Sequence, residues 1–441
     1  MQPNKRPIGV DLFAGAGGMS FGFEQAGFDI LASIEIDPVH CATHEFNFPE
    51  SAILCRDITN VTAKDIRSSS AIGSSKISVV FGGLPCQGFS IIGKRDVDDP
   101  RNKLADHFIR LVVDLDADFF VIENVRGLTF GKHRHILDKI VSTFEANKYQ
   151  VAVPSVLNAA RYGVPQNRER LFVLGCKEGL RLPKYPSAIT TALKCSDKLP
   201  LLSQTEMVIE PFCPSVWDAI GDLPNIENYP ELLERDWIEA EFNKPSEYSS
   251  LLRGLTTADD DYSYPREYNP RILTSSLRPN HKSDSVDRFK MTEQGKRETK
   301  SHFHKLHPEG VSPTLRAGTP RNYGSYTAAR PIHPYQPRCI TVREAARLHS
   351  YPDWFRFHVT NWHGLRQVGN SVPPLLAKAV AAEVMRALGE HPLKPSMSHK
   401  PTKEQLLKLN VDQAAKLYGV DPEVIKPRIR KPSEKKSEVV N

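Results

Sequence analysis

The chain has 441 residues, 40% hydrophobic and 25% charged, which is ordinary globular material, long enough for one large core and a smaller second one. Its formal charge of +6 suits a polyanionic partner but is too small an excess for this length to demand one. Seven scattered cysteines contain no C-x-x-C pair, which argues against a disulfide framework or a thiolate zinc site and for a reducing setting.

Met1–Pro7 leads straight into a strand-like run with no cleavable apolar stretch, and no later run approaches membrane-spanning length, so a cytoplasmic protein is expected. From Pro7 to about Cys176, short β-type runs alternate with amphipathic stretches such as Leu104–Leu115 and His135–Phe144. The strand candidates are Ile8–Phe13, Ile30–Ile36, Ile53–Cys55, Ile77–Phe81, Phe119–Ile122, Val151–Leu157 and Leu171–Gly175. That alternation predicts a doubly wound α/β sheet over residues 1–176. From 177 to 337 it gives way to Pro, Ser, Asn, Tyr and charged residues, the composition of a small, loop-rich inserted domain. Helical periodicity returns around Val342–His349 and Leu375–Leu388, so residues 338–391 are expected to complete the first domain. Residues 392–441 form a basic extension, solvated at its end; within it Val411–Arg430 has the rhythm of a helix-turn-helix, although Pro427 would interrupt the second helix.

The loop Asp11-Leu-Phe-Ala-Gly-Ala-Gly-Gly18 follows the first strand and opens a helix, where an α/β sheet presents backbone N–H groups to a ligand. Ser20 stands where a dinucleotide fingerprint needs its third glycine, so a nucleoside ligand without a pyrophosphate fits better, and a plain tight turn is the alternative. Phe13, Gly15, Gly17 and Gly18 are the candidate contacts. Glu35, ending the second strand, could accept both ribose hydroxyls, and Asp57 could accept from an adenine amino group while Ile58 packs on the base; helix caps or surface charges are the alternatives for both carboxylates. Cys86, in Gly82-Gly-Leu-Pro-Cys-Gln-Gly88, follows the fourth strand at the same edge, with glycines that admit a substrate and Pro85 stiffening the backbone before the sulfur.

Six segments resemble, in order, the motif series of DNA (cytosine-5) methyltransferases: Asp11–Gly18, Pro85-Cys86-Gln87, Glu123-Asn124-Val125, Gln166-Asn-Arg-Glu-Arg170, Thr341-Val-Arg-Glu-Ala-Ala-Arg347 and Gln367-Val-Gly-Asn-Ser-Val-Pro373. The overall brevity is similar to that of bacterial restriction-modification methyltransferases. The resemblance implies a Rossmann-like sheet that binds S-adenosylmethionine and a cytosine rotated out of double-stranded DNA. Cys86 would add to carbon 6, making carbon 5 nucleophilic enough to take the methyl group. Glu123 would hydrogen-bond N3, with a pKa raised by burial, and Arg168 and Arg170 would hold the base's carbonyl oxygen and nearby acidic groups. Pro85, Asn370 and Ser371 join the candidate cofactor contacts. No residue stands out as the base that removes the carbon-5 proton; water or hydroxide is the expected acceptor.

Ser90–Lys103 reads as a polar loop closing over the DNA, with Ser90 and Ile92 as candidate contacts. Recognition is expected in the insert, where Thr314-Leu315 resembles the family's target-domain dipeptide and Arg316 and Arg321 suit phosphates better than base edges. His302, His304 and His307 lack a companion cysteine or acid, so no metal is expected. The expected partners are duplex DNA and, functionally, a cognate endonuclease, with the chain acting as a monomer. Three rival readings are an RNA cytosine methyltransferase, a silent DNA-binding regulator and a nicotinamide oxidoreductase. They are opposed respectively by the long insert, by the intact Pro85-Cys86-Gln87 and Glu123, and by the missing third glycine.

Overall fold

The computed structural model describes residues 6–85, 104–130, 134–191, 211–318, 330–400 and 403–424. Cys86, Ser90, Ile92, Arg321 and the end of the basic tail lie outside them.

Seven runs of the first part become strands β1 (Ile8–Leu12), β2 (Asp29–Glu35), β3 (Ala52–Cys55), β4 (Val79–Gly83), β5 (Phe119–Val125), β6 (Tyr149–Val151) and β7 (Ser155–Asn158). After β8 (Gln166–Asn167), strand β9 (Glu169–Lys177) completes the sheet, whose order among the described residues is β3-β2-β1-β4-β5-β9-β6, with β7 also on β9. β1 to β5 are parallel and β9 runs antiparallel to β5. Strand order reverses between β1 and β4, so the carboxyl ends of those two strands open the crevice where such sheets bind ligands.

The helices of this part are α1 (Gly18–Gln25), α2 (Pro38–Asn47), α3 (Ala63–Ser68), α4 (Leu104–Asp114) and α5 (Arg134–Ala146). Alternate side chains feed the sheet's two faces: Val10, Leu12, Phe120 and Ile122 join the core under α3 to α5, while Phe81, Phe119 and Val121 join the core under α1. The expected strand Val151–Leu157 is broken: Val151 pairs with Gly175 and Ser155 with Phe172, four steps against three, so one residue bulges out. Pro154 has no N–H to give the ladder, and Val153 is left 85% exposed.

The insert carries α6 (Val216–Ile220), α7 (Glu247–Leu252), α8 (Ser283–Met291), a short antiparallel pair β10 (Ile238–Glu239) and β11 (Ile272–Leu273), and β12 (Ser312–Pro313), which pairs with β8. α9 (Val342–Arg347), α10 (Asn361–Asn370) and α11 (Pro374–Leu388) follow. Packing does not break at Pro337. Val216, Ile220, Leu252, Leu273 and Leu315 of the insert share one core with Val342, Leu348, Tyr351, Phe355 and Val368, whereas α11 packs through Leu376, Val380 and Val384 against α1 and the sheet. One core thus runs across the expected boundary at 337/338 as far as Val368, and α11 beyond it joins the sheet core.

In the extension, α12 (Val411–Tyr418) buries Ala414 and Ala415 and lies on α2, with the Tyr418 hydroxyl donating to Glu45 at 2.8 Å. Leu406 and Leu407 are buried just before it. The first helix of the expected helix-turn-helix is thus a brace on the sheet domain; the second falls outside the described residues. Among the described residues no helix is long and apolar enough to cross a membrane.

Candidate active site

β1 ends by turning sharply: Phe13 has φ 67°, a left-handed conformation costly for a side chain of that size, of the kind that collects at functional sites. Gly17 (φ 103°) is the N-cap of α1 and supplies no side-chain cap, so the first N–H groups of the helix stay available. A Cβ placed on Gly15 would meet nothing within 4 Å, so there is open space over the turn. On its other side Gly18 is tight: an added Cβ would lie 2.5 Å from Val372 O and 2.9 Å from Ser371 Cβ. The segment after α10 therefore abuts the glycine turn. Asn370 there is exposed, and the Ser371 hydroxyl donates to Val368 O at 2.8 Å.

Glu35, at the end of β2, is held by three backbone donors: Ile36 N (2.9 Å) and Asp37 N (2.8 Å) on Oε1, and Gly15 N (2.8 Å) on Oε2. It is half-buried, a fixed acceptor pointing over the turn's margin. Asp57 accepts from Thr59 N at 2.9 Å and caps a short 3-10 turn. Ile58, next to Asp57, is 3% exposed and packs with Leu54, Val61 and Ile66, while Phe13 and Ile36 are half-buried.

Under the turn sits a residue the sequence reading gave no role. Asp11 is 1% exposed and accepts from the Ser20 hydroxyl at 2.6 Å, and Ser20 Oγ is 3.2 Å from His44 Nε2. Burial, reinforced by the charge of Glu35, pushes the Asp11 carboxyl up to about 8 and burial pushes His44 down to about 3. The group thus ties β1, α1 and α2 together with little formal charge.

β4 delivers Gly83 opposite Glu123, and Leu84 N donates to Glu123 O at 3.0 Å. Pro85, half-buried, follows; Cys86 is the next residue in sequence. Glu123 is 7% exposed, its Oε1 is 2.8 Å from Arg170 Nε, and its Oε2 is 2.9 Å from where a Cβ on Gly83 would sit. Burial raises its pKa, while the guanidinium groups of Arg170 and Arg168 pull the other way. A buried carboxyl with a raised pKa, beside the chain leading to a cysteine, is equipped for proton sharing.

Arg168 does something else. It is 1% exposed, and its guanidinium donates to Leu315 O (2.7 Å), Gly369 O (2.9 Å) and Ser371 O (2.8 Å). These three carbonyls belong to the insert and to the end of α10, whereas Arg170 is the arginine of the pair that bonds Glu123. Thr314 and Arg316 are exposed on either side of buried Leu315, and the Thr314 hydroxyl donates to Asn167 O at 2.6 Å. Among the described residues no group of three or more His, Cys, Asp or Glu side chains converges to hold a metal ion.

A doubly wound, mostly parallel sheet with a glycine turn after its first strand and buried Glu123 on its fifth is a Rossmann-like arrangement. Residues 9–386 match the sequence profile of C-5 cytosine-specific DNA methylases, and the chain belongs to that family of DNA (cytosine-5) methyltransferases. It is 49% identical over 426 residues to the type II methyltransferase M.XorII of Xanthomonas oryzae pv. oryzae, covering 96% of this chain and 95% of that one. It is 33% identical over 400 residues to the type II methyltransferase M.DdeI of Desulfomicrobium norvegicum, covering 85% and 88%. Of solved structures, one described as a DNA modification methyltransferase encoded within a prophage of E. coli matches with TM-score 0.67 and 31% identity, over 87% of this chain and 100% of that one. The S. pombe Dnmt2 methyltransferase shares the fold at TM-score 0.50 and 17% identity, over 87% and 100%.

Proposed function

We propose that the protein transfers a methyl group from S-adenosylmethionine to carbon 5 of a cytosine rotated out of a specific site in double-stranded DNA, through a transient bond between Cys86 and carbon 6 of the ring. The observation that carries this reading is Glu123: buried, raised in pKa, paired with Arg170 at 2.8 Å and tied through Leu84 to the chain that enters Pro85-Cys86.

The thiolate of Cys86 adds to carbon 6 while Glu123 shares its proton with N3, so the electron pair displaced from the 5,6 double bond is drawn through carbon 4 toward N3 and leaves an enamine whose carbon 5 is nucleophilic. Arg170 holds Glu123 in place and offers guanidinium donors to the base carbonyl. S-adenosylmethionine, when bound there, would supply an electrophilic methyl carbon for carbon 5, its sulfonium sulfur keeping the pair of the broken bond. Loss of the carbon-5 proton to water or hydroxide then lets the sulfur leave with the bonding pair, restoring the thiolate and the aromatic ring.

The residues around the glycine turn fit such a cofactor: open space over Gly15, uncapped N–H groups at α1, and the fixed acceptor Glu35. Phe13, Gly17, Gly18, Pro85, Asn370 and Ser371 complete its binding set, with Asp57 toward the adenine. Thr314, Arg316 and Arg321 of the insert, with Ser90 and Ile92 of the loop, contact DNA. In this reading the chain acts as a monomer in the cytoplasm of a bacterium, protecting the sites its endonuclease would cut; the names of its relatives, type II methyltransferases, support the restriction-modification role.

Bisulfite sequencing of DNA from cells expressing the chain tests the chemistry and spells the target. A duplex carrying 5-fluorocytosine at that target should form an adduct joined through Cys86; an adduct through another residue, or none, overturns the reading.

A further inference from the structure

The geometry points to Arg168 as a positioning residue that couples DNA engagement by the insert to cofactor binding at the glycine turn. The inference rests on the proposed function for the identity of the two ligands. Its basis is one buried polar node in which three distant segments meet.

Both backbone polar groups of Leu315 are held from the stretch Gln166–Arg168, at β8 and just before β9: its N–H donates to Gln166 Oε1 at 3.0 Å and its carbonyl accepts from Arg168 at 2.7 Å. The same guanidinium holds Gly369 O and Ser371 O, which flank the exposed Asn370. Ser371 O also lies 3.1 Å from His349 Nε2, and His349 Nδ1 lies 2.9 Å from Gln166 Nε2. Burial and the neighbouring Arg168 charge hold His349 well below the usual histidine range, so it is neutral. A neutral ring that accepts from Gln166 at Nδ1 must carry its proton on Nε2, aimed at Ser371 O.

The contact is close as well as polar. A Cβ on Gly369 would lie 2.3 Å from the carbonyl carbon of Arg316, so the cofactor-side loop and the Thr314–Ala317 segment touch backbone to backbone. Exposed Thr314 and Arg316 are therefore at one end of a rigid link, and Asn370 and Ser371, against Gly18, at the other. An ordering of either end by its ligand is transmitted to the other, and thermodynamic linkage makes the effect reciprocal. Lysine cannot replace Arg168, because a single ammonium lacks the planar fork that reaches three carbonyls at once.

The test is calorimetric titration of S-adenosylhomocysteine into the full chain, with and without a duplex bearing the site found by bisulfite sequencing. In the wild type the duplex should tighten the ligand by about 10-fold or more, within the usual span of two-site coupling, and in Arg168→Lys by less than about 3-fold. Gly369→Ala, which wedges the same junction apart at the Arg316 backbone while keeping the Arg168 side chain, should lose coupling likewise. In the wild-type protein, S-adenosylhomocysteine alone should slow amide exchange at residues 314–317. Undiminished coupling in Arg168→Lys overturns the inference, as does unchanged exchange at 314–317, whatever the variants do. If Arg168→Lys keeps its coupling but loses the 5-fluorocytosine adduct, the arginine serves the base instead. If the wild type forms no adduct while coupling is present, the chemical reading fails and the link stands.

Discussion

At Glu123, two opposing influences decide what the side chain can do. Burial favours the neutral acid and Arg170 at 2.8 Å favours the carboxylate, with burial prevailing. Glu123→Gln keeps the shape and loses the shared proton, so single-turnover methyl transfer should slow by about 100- to 10,000-fold while S-adenosylhomocysteine binds as before. Cys86→Ser should abolish methylation with the same retained binding, measured by bisulfite sequencing and titration. Asp11 gives a different signature. Its folded pKa, about 8, lies above the ordinary carboxyl value of 3.8, so the folded state binds the extra proton in the window between them. The stability it contributes is fully present below that lower value and is lost as pH rises toward the upper one. Asp11→Asn cannot ionise; its melting temperature should fall less between pH 6 and pH 8 than that of the wild type, and an equal fall in both would contradict the assignment. Arg316, exposed beside buried Leu315, is a phosphate contact in this reading. Arg316→Ala should weaken all duplexes alike and reduce the slope of log affinity against log salt by about 1.

At the scale of elements, α2 carries more than its length suggests. Its N-cap Asp37 follows two residues after Glu35, accepts from Val39 N at 3.0 Å, and bonds Arg366 of α10 at 3.1 Å. On its far side it is braced by α12 and by the turn Glu404–Lys408, whose Leu407 is fully buried. The extension therefore steadies the helix that begins beside Glu35. Leu407→Ala should cost about 2–5 kcal/mol in urea unfolding, the usual penalty for a large-to-small change at a buried position. A loss confined to DNA affinity, with stability unchanged, would instead favour a DNA-reading extension.

Across the whole molecule, the insert and the returning helices melt together if they share a core. Arg347, fully buried, joins Asp222 of the insert at 2.9 Å and Asp353 at 2.6 Å. Arg347→Met strands two carboxylates and should destabilise by about 3–5 kcal/mol, lowering one calorimetric transition without splitting it in two. The sequence by itself determined the alternating sheet and the order of the motif residues, because two-period and 3.6-period patterns and strand-end loops are local properties of the chain. It also placed Glu123 and Arg170 in neighbouring motifs. What it left to the tertiary structure were relations between segments far apart in sequence. Periodicity marks Ile58 as apolar without saying that it is sealed in the core, and two arginines one residue apart look alike until β9 faces one toward Glu123 and the fold wraps three carbonyls around the other. The core running across 337/338 and the docking of α12 on α2 were equally invisible, since composition records where a chain changes character and only folding decides which surfaces it buries against each other.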